Sequence, residues 1–411
     1  MTNHALPIQQ SDRATILDVL RGFAILGIFI ANSGGFSLYM FMEESSKNAL
    51  FTASADHYTD YFLTAFIDGK FYSLFSLLFG IGFTIILDRN ESSGKNPLPY
   101  FYRRVFLLAL FGLAHIYLLW EGDILLLYAI IGMVLPLFRK LKDKTLIIIS
   151  IALIFTPLLI DFGKVITDGK LNLAAPLTAL ALEADAKTGI TEENFRTYLI
   201  DNTTYESVLN WCRGGIFWRY EYIVSSNRIP KVLAMFLLGL VVGRRMIYKN
   251  LESQKVLLMK LMKRGFVIGI PASLALAYFS KDEIYLPKAK GLWDTLFYAI
   301  SVIPLSIAYT SSICILYMNV KWKKILSPMA AVGRMALTNY IMQTVFGIFI
   351  YYGLGLGMAT KFGPALFVPI ALIVYFIQIV YSNLWFQYFK YGPLEWVWRQ
   401  LTYGKMLSIK K

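Results

Sequence analysis

Ten stretches of this chain carry no Asp, Glu, Lys or Arg: 22–42, 71–87, 105–120, 124–138, 145–160, 232–243, 265–280, 295–320, 335–360 and 362–389. A helix needs about 20 mostly apolar residues to cross a hydrocarbon core. Only helices and closed barrels satisfy every backbone polar group there. The repeated runs predict an all-α fold, a polytopic membrane helix bundle of about ten transmembrane helices. The shorter runs must borrow flanking residues, most of all 232–243, which ends at Arg244. The chain is 57% hydrophobic and 16% charged, against about 25% charged in a soluble domain. That excludes a soluble globular enzyme, a disordered chain and a collagen-like fibre. The net charge of +14 is spread over many short loops, so nucleic acid is not an expected partner. Cys212 and Cys314 are too far apart for a metal motif or a disulfide framework, and with three histidines in the chain no metal site is expected.

Loop charge orients the bundle. Short loops rich in Lys and Arg face the cytoplasm. Residues 88–104 hold Arg89, Lys95, Arg103 and Arg104; residues 139–144 hold Arg139, Lys140, Lys142 and Lys144. Seven basic residues lie in 244–264, Lys321, Lys323 and Lys324 follow 295–320, and five more close the chain. All fall on one side if every run crosses, which places both termini in the cytoplasm. Met1–Arg13 is polar and lacks the pattern of a cleaved leader, so the first crossing is expected to remain in the mature protein. The long segment 161–229 falls on the opposite side as an extracytoplasmic cap inserted into a single helix-bundle domain, 1–411. It contains a helix-like stretch, Ala175 to Lys187, and an aromatic, basic stretch, Trp211 to Tyr222.

Polar groups at membrane depth are costly and point to function or to helix pairing. Asp18 and Arg21 sit three apart in the first helix and can pair. Asn32 follows Arg21 by eleven residues, close to three full turns and about 16 Å, so the two share a face. Arg104 and His115 repeat that spacing. The helix of His115 then ends at Trp120-Glu121-Gly122-Asp123, a tight outer turn. Asp68 and Lys70 open the second crossing. Asn32, His115, Asp68, Lys70, Glu121 and Asp123 therefore gather at similar depth if these helices are neighbours. An imidazole oriented by a carboxylate suits a general base, and arginines at the opposite mouth suit phosphates. The ninth run adds Arg334, Thr338, Asn339 and Gln343 as a polar stripe, and Gly392–Arg399 carries paired tryptophans of the interfacial kind. The same residues also fit plain hydrogen bonding between helices.

Several of these motifs resemble a known family. Leu17-Asp18-Val19-Leu20-Arg21-Gly22-Phe23-Ala24-Ile25-Leu26-Gly27 with Asn32 is similar to the opening helix of YeiB-like bacterial membrane proteins. So are Lys70-Phe71 with Leu77-Leu78-Phe79-Gly80, and His115 with Trp120-Glu121-Gly122-Asp123-Ile124-Leu125. Val332-Gly333-Arg334-Met335-Ala336-Leu337-Thr338-Asn339-Tyr340 and Gly392–Thr402 also match. The opening helix further resembles those of transmembrane acyltransferases of the sugar O-acyltransferase and heparan-glucosaminide N-acetyltransferase kinds. That resemblance implies acyl transfer from a cytoplasmic acyl-CoA to an acceptor on the far side. In it Asn32 matches the polar residue of the heparan-type helix, and Arg103-Arg104 resembles the CoA-proximal arginines of the sugar O-acyltransferases. The helical position of His115, set by Arg104 and Asp123, makes it the expected base, with Asp123 as its orienter, Asn32 as oxyanion donor, and Arg21, Arg103, Arg104 and Arg334 as donor-binding residues. Asp18, Asp68, Lys70, Glu121, Asn339 and Gln343 take supporting polar roles. One departure is that the heparan-type group places a histidine soon after its Asn; here that region offers only His57, in the outer loop.

The leading expectation is thus a multi-pass acyltransferase of the bacterial inner membrane, with acyl-CoA as co-substrate and no tightly bound cofactor. Its expected partners are the lipid bilayer, acyl-CoA and an acceptor glycan, lipid headgroup or small metabolite, with a homo-oligomer left open. The alternatives are a transporter of a small anion, lipid or metabolite, and a non-catalytic partner or sensor subunit.

Overall fold

The computed structural model describes residues 14–92, 94, 96–280 and 287–411. Met1–Arg13 and Lys95, both used above, lie outside these residues. Among the described residues the fold is all-α, with one isolated bridge between Phe389 and Lys410. The helices that build it are α1 (Thr15–Phe36), α2 (Ala53–Phe66), α3 (Lys70–Ser92), α4 (Leu98–Leu118), α5 (Leu125–Val134), α6 (Asp143–Ile166) and α7 (Ala175–Lys187). They continue with α8 (Tyr205–Ser225), α9 (Arg228–Arg244), α10 (Lys255–Phe279), α11 (Gly291–Met318), α12 (Met329–Arg334), α13 (Ala336–Tyr351), α14 (Pro364–Tyr388) and α15 (Pro393–Tyr403).

Among the described residues, seven helices are long and apolar enough to cross a membrane, or eight if the bent pair α8–α9 forms one span. Every charge-poor run overlaps a helix, but Leu125–Phe138 and Ala336–Tyr351 are apolar and short. The chain is a polytopic helix bundle on these grounds.

Small residues set the closest crossings, as expected where lipid supplies no hydrophobic drive between helices. A Cβ on Gly22 would collide with the Met329 carbonyl, and one on Gly333 with that of Asp18, so α1 and α12 meet backbone to backbone. Gly80 and Gly239 do the same for α3 and α9. Helix α1 also packs on α3, α13 and α14. Two thirds of its apolar window (67%) is buried, against 22% for α6, which presents Ile151, Phe155, Leu159 and Phe162 outward. The first helix is the axis of the bundle and α6 is a peripheral face.

The segment 161–229 is built from α7, a short helix Phe195–Asp201 and α8. Its helix-like stretch is α7, with the same bounds as the sequence indicates. The aromatic, basic stretch lies inside α8, which packs on α7 and on the end of α4. The Trp218 indole donates to Asp185 at 2.7 Å. The Gly353 N–H donates to the Leu199 carbonyl at 2.8 Å, tying the segment to the loop after α13. Between α8 and α9 the chain turns by 70°. Asn227 at the turn has φ of 51°, in the left-handed region. Asp161 pins it by accepting from the Asn227 amide at 2.9 Å, from Lys164 at 2.8 Å and from the Thr295 hydroxyl at 2.7 Å.

Candidate functional site

Helix α4 ends where the His115 carbonyl accepts from Leu119 and Trp120, each at 3.0 Å. The chain then reverses through Glu121 and Gly122, and Asp123 caps α5 by accepting the Leu126 N–H on Oδ1 at 2.7 Å. That bond satisfies one of the donors a helix start leaves open. It also fixes the carboxylate, whose Oδ2 lies 2.8 Å from His115 Nδ1. On the other side of the ring, His115 Nε2 lies 2.8 Å from the Thr344 hydroxyl on α13. His115 and Thr344 are each 1% exposed and Asp123 2%.

A carboxylate only accepts hydrogen bonds, so Nδ1 carries the ring proton and Nε2 is the basic nitrogen, receiving the Thr344 O–H. The chain is thus hydroxyl, imidazole, carboxylate, the order of the Ser-His-Asp arrangement in which a histidine activates an alcohol. The Tyr340 ring lies 5.1 Å from the imidazole and the Trp120 ring 6.4 Å. Arg219 of α8 donates through Nε to the Asp123 carbonyl at 2.8 Å.

The other residues proposed for this end divide. Helix α1 reaches it through Phe36, stacked on Trp120 with ring centres 4.0 Å apart. Asn32, one turn earlier, is half-buried, and its side chain makes no hydrogen bond among the described residues. Glu121 packs against Gly215, and its Oε2 has no partner among the described residues. Burial raises its carboxyl above the usual carboxylate range. Among the described residues Asp68 and Lys70 make no hydrogen bond or ion pair with His115 or Asp123. Asp68 lies in the break before α3 and not in its first turn, and is exposed, within electrostatic reach of Lys70 and Arg228. Lys70 is buried and donates to the Thr64 carbonyl at 2.7 Å, closing the end of α2. His57 is not in a loop but on α2, exposed, stacked edge-on near Tyr61 at 5.0 Å.

At the opposite end Asp18 and Arg21 pair at 2.7 Å, as their spacing predicts. A cleft of about 270 Å³ opens there, lined by Asp18, Thr15, Arg334, Asn383 and Phe386. The Arg334 guanidinium stacks on Phe386 at 3.7 Å. Arg103 is exposed, and Arg104 stacks on Trp398 at 3.9 Å. The Trp398 indole donates to the Arg104 carbonyl at 3.0 Å, and that of Trp396 to the Leu407 carbonyl at 2.7 Å, so both tryptophans bond within the protein. Arg334 does not extend the polar stripe, because the chain breaks at Met335 between α12 and α13. Asn339 and Gln343 do share α13. They bond Ser382 and Gln378 of α14 at 3.2 and 2.8 Å, a buried link between helices.

Sequence reasoning does not reach Thr344, Arg219, Arg228 or Glu395. Thr344 directly follows Gln343 on the stripe, and Arg219 lies in the aromatic, basic stretch, so a local signal existed for both. Glu395 sits in a motif read as an interfacial anchor, yet its carboxylate accepts from the N–H groups of Leu337 at 2.7 Å and Thr338 at 3.1 Å. It caps α13 from a distance. Among the described residues no three His, Cys, Asp or Glu side chains gather to hold a metal ion, and both cysteines are buried and free.

Residues 242–405 match the family described as protein of unknown function (DUF418). The uncharacterized protein YxaH of Bacillus subtilis (strain 168) is 33% identical over 411 residues, covering 98% of each chain. A protein of Bacillus acidopullulyticus described as an uncharacterized 39.9 kDa protein in the amylase 3' region is 28% identical over 408 residues, covering 98% of this chain and 97% of its own. The uncharacterized protein YeiB of Escherichia coli (strain K12) is 29% identical over 400 residues, covering 95% and 96%. With similarity along almost the entire length of each, this chain belongs to the YeiB-like family of bacterial multi-pass membrane proteins.

Proposed function

We propose that the protein is a transmembrane acyltransferase of the bacterial inner membrane, with about ten crossings and both termini in the cytoplasm. One observation carries the reading: a buried imidazole is held by a carboxylate on Nδ1 and faces a hydroxyl on Nε2. The acyl donor is an acyl-CoA entering at the arginine end. Arg334 lines the cleft there, Arg21 pairs with Asp18 of its wall, and α15 links Arg104 to the same end through Trp398 and Glu395. Guanidinium forks suit the diphosphate of CoA.

His115 Nε2 takes the proton from an acceptor hydroxyl or amine as its O or N bonds to the thioester carbonyl carbon. The tetrahedral intermediate then collapses, the C–S bond breaks, and the CoA sulfur leaves with that proton. Asp123 keeps the imidazole in the right tautomer. The Thr344 hydroxyl marks the position the acceptor would take. Asn32, whose amide is uncommitted, is the proposed oxyanion donor.

Calorimetry on the purified protein in detergent tests the donor site. Acetyl-CoA or a longer acyl-CoA should bind saturably and bind roughly tenfold more weakly to Arg334→Ala, the loss expected for one charged hydrogen-bond donor. Thioester turnover should fall about 10²- to 10⁴-fold in Asp123→Asn, with donor binding intact. No binding at any chain length would overturn the assignment.

A further inference from the structure

Three cations gather beside the His115 end and close no ion pair among the described residues. Arg219 and Tyr222 lie on α8; Arg228 and Lys231 open α9 beyond the 70° turn. The Tyr222 ring lies between the two guanidiniums, 6.0 Å from that of Arg219 and 4.7 Å from that of Arg228. Arg228 donates to the Tyr222 hydroxyl at 2.9 Å and lies 5.0 Å from the Tyr72 ring. Lys231 sits 3.8 Å above Tyr298, whose hydroxyl bonds that of Tyr72 at 2.8 Å, and donates to the Ser226 carbonyl at 2.9 Å.

The donors outnumber their partners. Arg219 uses only Nε, on the Asp123 carbonyl, and Arg228 only Nη2. Among the described residues no carboxylate lies within 4 Å of either guanidinium or of Lys231. The acids nearby are committed or out of contact. Glu121, whose Oε2 has no partner among the described residues, acts on Arg219 through space without an ion pair. Asp161 is taken by Lys164, Asn227 and Thr295, and Asp123 by His115 and Leu126. Asp68 and Asp294 act on Arg228 and Lys231 through space without contact. Tyr222 is 40% exposed, so the cluster is open to its surroundings at that residue. The cavity beneath, between Tyr72, Lys231 and Tyr298, is about 10 Å³, room for one water and no more. A ligand must therefore sit above it, against the two guanidiniums.

We propose that Arg219, Arg228 and Lys231 form a binding site for a phosphate group, carried by a lipid headgroup or by a small phosphorylated molecule. Two guanidinium forks and an ammonium match the three or four oxygens of a phosphate. The tyrosine rings hold the cations in place through their faces and leave the N–H edges open. Arg219 touches the backbone of Asp123, the residue that orients His115. If the acyl-transfer reading holds, the phosphate belongs to the acceptor, and the site positions it for His115; only that last assignment rests on the reading.

The site is tested without acyl-CoA, so its failure and that of acyl transfer are separate results. The thermal midpoint of the full chain in detergent is followed against inorganic phosphate, with chloride at equal ionic strength as control. Lipid retention is measured by native mass spectrometry after reconstitution with phosphatidylglycerol or phosphatidylcholine. Stabilisation by phosphate over chloride assigns a site for a free phosphate group. Retention of phosphatidylglycerol over phosphatidylcholine with no phosphate effect assigns a lipid headgroup. Either response should weaken roughly tenfold in Arg219→Gln/Arg228→Gln, and also, by a smaller factor, in the milder Lys231→Gln. It should persist in Arg245→Gln, a surface arginine paired with Asp143. No response in the unaltered protein, or an equal response in all variants, overturns the proposal.

Discussion

Two carboxyls near the same imidazole, Asp123 and Glu121, meet opposite fates. Asp123 spends one oxygen on a helix start and the other on His115. Glu121, two residues earlier, is left with an oxygen that has no partner, and burial raises its carboxyl. A carboxyl raised in the folded state stabilises the fold below its ordinary range, and that contribution is lost as pH rises through the elevated value. Melting in detergent should therefore show Glu121→Gln matching the unaltered protein near pH 4 and exceeding it at neutral pH; equal midpoints at both would refute the account. His115 and Asp123 were legible because a tight turn joins them within eight residues. Thr344 was not, because its place opposite the ring depends on how α13 packs, and no spacing rule spans 229 positions. Asp68 and Lys70 looked like members of the same cluster from depth alone, but depth does not fix the direction in which a helix faces.

At the scale of elements, every charge-free run overlaps a helix, but the runs missed Ala53–Phe66 and Tyr205–Ser225 and did not show where helices break. The step from Arg334 to Thr338 reads as one helical turn, yet the chain kinks at Met335 and starts afresh. The new helix begins inside the protein, and its first N–H groups need an acceptor. Glu395 supplies it, and burial holds its carboxyl above the usual range despite the bonds from Leu337 and Thr338. Glu395→Ala should cost about 1–2 kcal/mol, the scale of a lost helix cap, while Glu395→Gln keeps an accepting oxygen and should cost less; the order of the two melting midpoints checks it. The crossing of α1 and α12 offers a second test. Any side chain at Gly333 meets the Asp18 backbone, so Gly333→Ala should destabilise by roughly 1–3 kcal/mol, the range for overpacking. Gly82, with open space around it, should accept alanine without loss in the same assay.

Across the whole molecule, the opening helix is the axis on which the others assemble, and its two ends meet different chemistries. One end borders the cleft of Asp18 and Arg334. The other touches the turn that carries the His115–Asp123 pair, through Phe36 on Trp120. Composition and loop charge were enough to foresee a membrane bundle with arginines at one end and an imidazole at the other. They could not reveal that α8 and α9 form a bent pair, because the turn at Asn227 depends on Asp161 and Thr295 from two other helices.

The bond between His115 and Thr344 also has a history in time. The ribosome delivers the histidine 229 residues before its hydroxyl partner, at a pace of about 5–20 residues per second. For more than about ten seconds the front half holds a half-finished imidazole pair, and the site closes only when α13 slides into the bundle. Assembly of this centre is thus a late step of biogenesis, and a nascent chain stalled before residue 344 carries the base without the group it faces.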